Sequence, residues 1–222
     1  MKYKYILFDL DGTLVDSEPG IVSSVKQAFE YFEINYETID MKQLIGPPLM
    51  NSLVHVMGIE ADRAGEIVRM YRLFYEKNGV YNSSLYEGVQ KLLIKLKEDG
   101  YILMIATSKP FPYAKTMLEH FDILHHFTYV SASDLNRTYD TKKRIIQNAL
   151  KQCDVKDSKD AVMIGDRKYD IEAAKLLGLD TIGVLYGYGD NNELSTAGAD
   201  YIVKDIVELY EELVAHGFES RL

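Results

Sequence analysis

Six short apolar runs, residues 3–8, 101–106, 127–130, 161–164, 181–185 and 201–203, alternate along the chain with longer segments whose apolar residues recur every three or four positions. Runs this short and this apolar read as strands buried on both faces. Between them, Val89-Leu92-Leu93-Leu96, Ala114-Met117-Leu118-Phe121, Ile145-Ile146-Ala149-Leu150 and Ile206-Leu209-Tyr210-Leu213 each mark one face of a helix. The alternation predicts an α/β fold, a parallel sheet with helices on both sides. One interval breaks it. Residues 17–82 hold no convincing strand, while Ile21-Val25-Ala28-Phe29-Phe32, Leu49-Leu53-Val56 and Ile67-Met70-Tyr71-Phe74 read as helices, the second with Pro47-Pro48 in its first turn. The expected organisation is an α/β core, residues 1–16 and 83–222, carrying a helical insertion, residues 17–82.

Composition narrows the function classes. At 222 residues, 47% hydrophobic and 27% charged, the chain has enough apolar surface for a folded core. Its 25 Lys and Arg against 34 Asp and Glu leave a net charge of −9, which argues against a nucleic acid polymer or an anionic membrane as partner. Any phosphate must be met by a local cluster of cations. The single cysteine, Cys153, has no internal disulfide partner and reads as a bystander thiol in a reducing compartment. Ile6-Leu7-Phe8 is cut off by Asp9 and Asp11, too short for a signal core or a membrane span. A cytoplasmic monomer or homodimer is the expectation. The 17 tyrosines read mostly as packing.

The richest segment is Asp9-Leu10-Asp11-Gly12-Thr13-Leu14-Val15-Asp16, directly after the first apolar run. Residues i and i+2 of a strand face the same side, so Asp9 and Asp11 project together at the strand's C-terminal end, where parallel sheets hold their ligands. Two carboxylates that close call for a divalent cation or a shared proton. The plainer reading of Asp-x-Asp is a turn whose carboxylates bond to backbone N–H groups, but the length of the string favours chemistry.

The string resembles the first signature of the haloacid dehalogenase-like superfamily of phosphohydrolases, and three further matches follow in order: Ala106-Thr107-Ser108-Lys109-Pro110, Lys142-Lys143-Arg144, and Val162-Met163-Ile164-Gly165-Asp166-Arg167-Lys168-Tyr169-Asp170. Taken singly, each has a plain structural reading: Thr107 or Asp166 as a helix cap, the lysines as a solvated helix end. The resemblance implies a Rossmann-like three-layer α/β/α core with an inserted helical cap that closes over the site. It also implies that Asp9 is the nucleophile forming an aspartyl-phosphate and Asp11 the general acid and base. Thr107 would bind the transferring phosphoryl group, with further phosphate contacts from Gly12, Thr13, Ser108 and Lys109. Lys142 would supply the cation, although Lys143 beside it leaves the choice open. Mg²⁺ would be held by the side chains of Asp9 and Asp166 and the backbone carbonyl of Asp11, with Asp170 in support, and an oxygen-rich set of this kind suits that ion. Specificity would come from Gly46, Pro47 and Pro48, and less from Arg63, Arg69 and Arg72.

This chain departs from the pattern in lacking a proline after Lys142 and in carrying Arg167 after Asp166. Arg167 with Asp170-Ile171, Gly46-Pro47-Pro48-Leu49 and Leu185-Tyr186-Gly187-Tyr188-Gly189 are similar to the phosphoglycolate phosphatase branch and its 5′-nucleotidase-like subgroup. The expected substrate is a small phosphorylated metabolite. The alternatives are a phosphomutase of the β-phosphoglucomutase type and a non-enzymatic phosphoacceptor or sensor. Asp11-Gly12-Thr13 disfavours dehalogenation.

Overall fold

All six apolar runs pair into one sheet in the computed structural model, which describes residues 3–39, 41–45, 49–135 and 141–215. The strands are β1 (Tyr5–Phe8), β2 (Val15–Asp16), β3 (Ser84–Leu85), β4 (Ile102–Pro110), β5 (Phe127–Ser133), β6 (Ala161–Gly165), β7 (Asp180–Val184) and β8 (Tyr201–Val203). The main sheet runs β5-β4-β1-β6-β7-β8, parallel throughout, and β2 and β3 form a separate two-stranded sheet. The helices are α1 (Glu18–Tyr31), α2 (Leu49–Asn51), α3 (Ala61–Lys77), α4 (Val89–Glu98), α5 (Phe111–His120), α6 (Lys142–Gln152), α7 (Lys168–Lys175), α8 (Asn191–Thr196) and α9 (Ile206–Ala215). None among the described residues is long and apolar enough to cross a membrane.

The sheet order follows from burial. Strand β1 is buried on both faces, Tyr5 and Leu7 on one and Ile6 and Phe8 on the other, so it belongs in the middle. Tyr5 and Leu7 pack with Met104, Met163 and the α6 and α7 residues Ile145, Ile146, Ala149, Ala173 and Ala174. Apolar residues of α4, α5 and α9, including Leu93, Met117 and Leu209, are buried outside that cluster, giving the core its second helical layer. From β1 the chain steps to β4 and β5 on one side, then to β6, β7 and β8 on the other. The direction of winding therefore reverses between β1 and β6, and a parallel sheet opens a crevice at the C-terminal ends of such a pair.

The chain divides into two units, Met1–Val15 with Leu85–Leu222, and Asp16–Ser84. The second unit is helical, with its own core of Val25, Ala28, Phe29, Leu44, Leu49, Leu53, Ala64 and Ile67. Helix α1 begins hard against the turn that follows α3: a Cβ on Gly20 would stand 2.0 Å from the Gly79 carbonyl oxygen. The helix expected over residues 49–56 is α-helical only through Asn51, and a wider π turn, Ser52–Val56, continues it, closed by the Met57 amide on the Ser52 carbonyl (3.1 Å). Gly46, Pro47 and Pro48 lie outside the described residues. Arg63 donates to the Phe32 carbonyl (3.3 Å) and lies over the Phe32 ring.

Candidate active site

Asp9 is the first residue beyond β1, and its amide donates to the carbonyl of Ile164 in β6 (2.9 Å), so it stands in the crevice between β1 and β6. A tight turn follows. The amides of Thr13, Leu14 and Val15 all donate to the Leu10 carbonyl, and Gly12, at φ +81°, supplies the left-handed backbone the turn needs. Strand β6 delivers Asp166 to the same crevice, and the first turn of α7 delivers Asp170. Gly165 makes room for that approach, since a Cβ there would stand 2.4 Å from the Asp170 carboxyl carbon.

Asp9, Asp166 and Asp170 each offer a carboxylate oxygen, all within 4.8 Å of one another. Lys142, the first residue of α6, sends its ammonium between two of them, 2.9 Å from Asp9 Oδ1 and 2.6 Å from Asp170 Oδ1. The Thr141 side chain caps this helix by accepting the Arg144 amide (3.3 Å). Capping puts Lys142 in the first turn with its chain buried, while Lys143 is partly exposed. The Lys142 charge works against the helix macrodipole. Burial also opposes it, but Asp170 and Asp9 outweigh burial and hold its pKa above the ordinary lysine value.

One ammonium does not balance three carboxylates. Burial first, then the charges of Asp170 and Asp9, pushes Asp166 well above the usual carboxylate range. Asp170 is pushed up to about 6, chiefly by burial and next by Asp9 in opposition to Lys142. Carboxylates this closely set and this buried, offering only hard oxygen donors, fit a divalent cation that prefers such ligands.

The titration of Asp170 has a consequence for the metal-free protein. The folded state holds its proton up to about pH 6, whereas the unfolded chain releases it near 3.8, so stability falls as pH rises across that window. The penalty sets in as pH rises past the unfolded value of 3.8 and is complete only above the folded value of about 6, reaching about 3 kcal/mol for a shift of this size. In EDTA, the stability of the wild type relative to Asp170→Asn is expected to fall by about that amount between pH 4 and 7 in urea titrations. A pH-independent difference would contradict it.

Asp11 faces another partner. Lys109, almost wholly buried, reaches both its carboxylate oxygens, at 2.9 and 3.0 Å. Lys109 gets there because β4 does not end at residue 106, as the apolar run suggested, but continues to Pro110. Its register against β5 shifts between Thr107 and Pro110, an irregularity that absorbs Ser108 and Lys109. Thr107 is buried and its hydroxyl accepts the Lys109 amide (3.1 Å), and the Ser108 carbonyl accepts Ser133 Oγ (2.8 Å). Thr13 is wholly buried and donates to Asp166 Oδ1 (3.2 Å).

Several participants carry no role in the sequence reading. The Tyr188 amide donates to Asp166 Oδ2 (2.9 Å), and Glu193 accepts Arg167 Nε and the Lys168 amide, both at 2.9 Å. The available signal was Tyr186-Gly187-Tyr188-Gly189, closely spaced glycines just past the end of a parallel strand, which mark a close backbone approach.

Residues 6–184 match the model of the haloacid dehalogenase-like hydrolase family. The chain is 34% identical over 217 residues to a 5′-nucleotidase of Pseudomonas aeruginosa, covering 97% of this chain and 98% of that protein. It is 31% identical over 221 residues to a phosphoglycolate phosphatase of Vibrio cholerae, covering 94% and 96%. Among solved structures, that of a predicted phosphatase from Clostridium acetobutylicum superposes with a TM-score of 0.90 at 38% identity, covering 97% of this chain and all of the other.

Proposed function

The chain belongs to the haloacid dehalogenase-like hydrolase family and is a phosphatase of it, and from that premise we propose that it hydrolyses a small phosphate monoester in two steps through Asp9. The observation that carries the reading is the placement of Asp9 at the β1/β6 crevice, against the Lys142 ammonium and beside two further carboxylates. In the first step a carboxylate oxygen of Asp9 attacks phosphorus in line, the bond from phosphorus to the ester oxygen breaks, and Asp11 gives its proton to the departing alkoxide. In the second step Asp11, now a carboxylate, takes a proton from water. The oxygen of that water attacks phosphorus, the bond to Asp9 breaks, and inorganic phosphate leaves. Lys142 holds positive charge against the equatorial oxygens, and Thr107 donates its hydroxyl to one of them. Lys109, within reach of both Asp11 oxygens, keeps that carboxyl group aimed. The side chains of Asp9 and Asp166 and the Asp11 carbonyl, with Asp170 in support, would hold Mg²⁺, which when bound would supply charge that offsets that of the nucleophile and the phosphoryl group.

The relatives direct the substrate search to phosphoglycolate and 5′-nucleotides. The test is a rate survey over those two classes, sugar phosphates and a chromogenic phosphate ester, with inorganic phosphate measured as product. Phosphate release from at least one class is expected, falling tenfold or more in excess EDTA and returning with Mg²⁺. A sugar 1-phosphate that isomerises without releasing phosphate would instead make the enzyme a mutase. Full activity in EDTA would remove the metal from the scheme.

A further inference from the structure

Both oxygens of the Asp166 carboxylate are held from elsewhere in the chain. Oδ1 accepts the Thr13 hydroxyl at 3.2 Å, and Oδ2 accepts the Tyr188 amide at 2.9 Å. One bond to each oxygen fixes the plane of the carboxylate and leaves each oxygen a further lone pair for a cation. Neither donor reaches Asp166 by accident of packing. The Tyr188 amide comes close because glycines flank it: a Cβ on Gly187 would stand 2.2 Å from the Gly12 carbonyl oxygen and 2.4 Å from Asp166 Cβ, and one on Gly189 would stand 2.0 Å from the Asp166 carbonyl oxygen. From the other side, a Cβ on Gly12 would stand 2.2 Å from Asp166 Oδ2. The two donor loops are also tied to each other, since the Tyr186 hydroxyl donates to the Thr13 carbonyl (3.1 Å) and the Tyr186 ring packs on Tyr86 at 4.9 Å.

We propose that Thr13 and the Tyr186-Gly187-Tyr188-Gly189 loop are positioning elements that orient Asp166 as a ligand for the divalent cation, and that the Thr13 hydroxyl serves the metal site rather than the phosphoryl group. The inference rests on the metal reading given under the proposed function. A wholly buried hydroxyl already committed to a carboxylate is poorly placed to greet an incoming substrate, whereas groups that bond to metal ligands commonly set metal affinity.

The test is calorimetric titration of Mg²⁺ into metal-free protein, with circular dichroism to confirm the fold. Thr13→Val, which keeps the shape and removes the hydroxyl, is expected to raise the Mg²⁺ Kd about tenfold or more, and Thr13→Ser to restore it. Tyr186→Phe loses only the bond to the Thr13 carbonyl and is expected to raise Kd about threefold; should Thr13→Val fail to fold, this variant decides, and an unchanged Kd overturns the proposal. A folded Thr13→Val protein that binds Mg²⁺ as the wild type does, with a raised KM for the chromogenic ester, overturns it too by assigning the hydroxyl to substrate. Asp166→Asn separates the two levels. If it also binds Mg²⁺ normally, the metal reading itself fails; if it loses Mg²⁺ while Thr13→Val does not, only the positioning role fails.

Discussion

Asp9→Asn is expected to lower kcat by roughly four orders of magnitude or more, the scale on which loss of a catalytic nucleophile registers. The amide is close to isosteric, and Lys142 keeps its 2.6 Å contact with Asp170, so the fold has no reason to change. What changes is the chemistry: an amide oxygen neither attacks phosphorus competently nor carries the negative charge that Lys142 pairs with at 2.9 Å. If Asp9 is phosphorylated in turnover as proposed, the wild type should yield an acid-trapped, borohydride-reducible acyl-phosphate, and the same substitution should abolish it. Steady-state rates on a chromogenic ester check the first statement and radiolabelled trapping the second. A variant within tenfold of wild type would leave Asp9 without its role.

Lys142→Met should damage both stability and rate. Removing one member of a buried ion pair leaves the other charges uncompensated, at a cost of about 3–5 kcal/mol, and here Asp9 and Asp170 both lose their neighbouring ammonium. The loss should be greatest in EDTA at pH 7 and smaller at pH 5, where Asp170 carries its proton. With Mg²⁺ present, kcat should still fall by roughly 10² to 10³, the scale for removing one donor to developing transition-state charge. Lys143→Met is the companion measurement. Its side chain is partly exposed, so a change within about 0.5 kcal/mol is expected. Equal effects at the two positions would mean that the ammonium between Asp9 and Asp170 is not the one that matters.

What could be read from the residues in order, and what could not, divides along physical lines. The six strands were legible because a strand buried on both faces is apolar throughout, and the helices because a single buried face repeats with the helical period. Strand alternation, expected to set Asp11 beside Asp9, stops at Phe8, and Asp11 turns to Lys109, while Asp166 and Asp170 meet because β6 ends just before the one and α7 carries the other in its first turn. Choosing between Lys142 and Lys143 required the phase of α6, which the Thr141 cap sets and composition does not. The extension of β4 to Pro110 depends on how β5 lies alongside it, a tertiary matter. Links such as Lys109 to Asp11, 98 residues apart, or Thr13 to Asp166, 153 apart, leave no trace in either partner's neighbours along the chain.

The placement of β1 at the centre of the sheet bears on how the protein comes into being at the ribosome. β1 is made before both strands that flank it: Phe8 lies beside Ile105 on one side and Ile164 on the other. A nascent chain that has emerged only as far as β5 can build one side of the sheet and still lack Asp166 and Asp170. The helical unit, Asp16–Ser84, meets no such delay, because its core draws only on its own residues. Every residue of the helical unit's core therefore precedes β6 along the chain, and until β6 arrives Asp9 waits on an open strand edge.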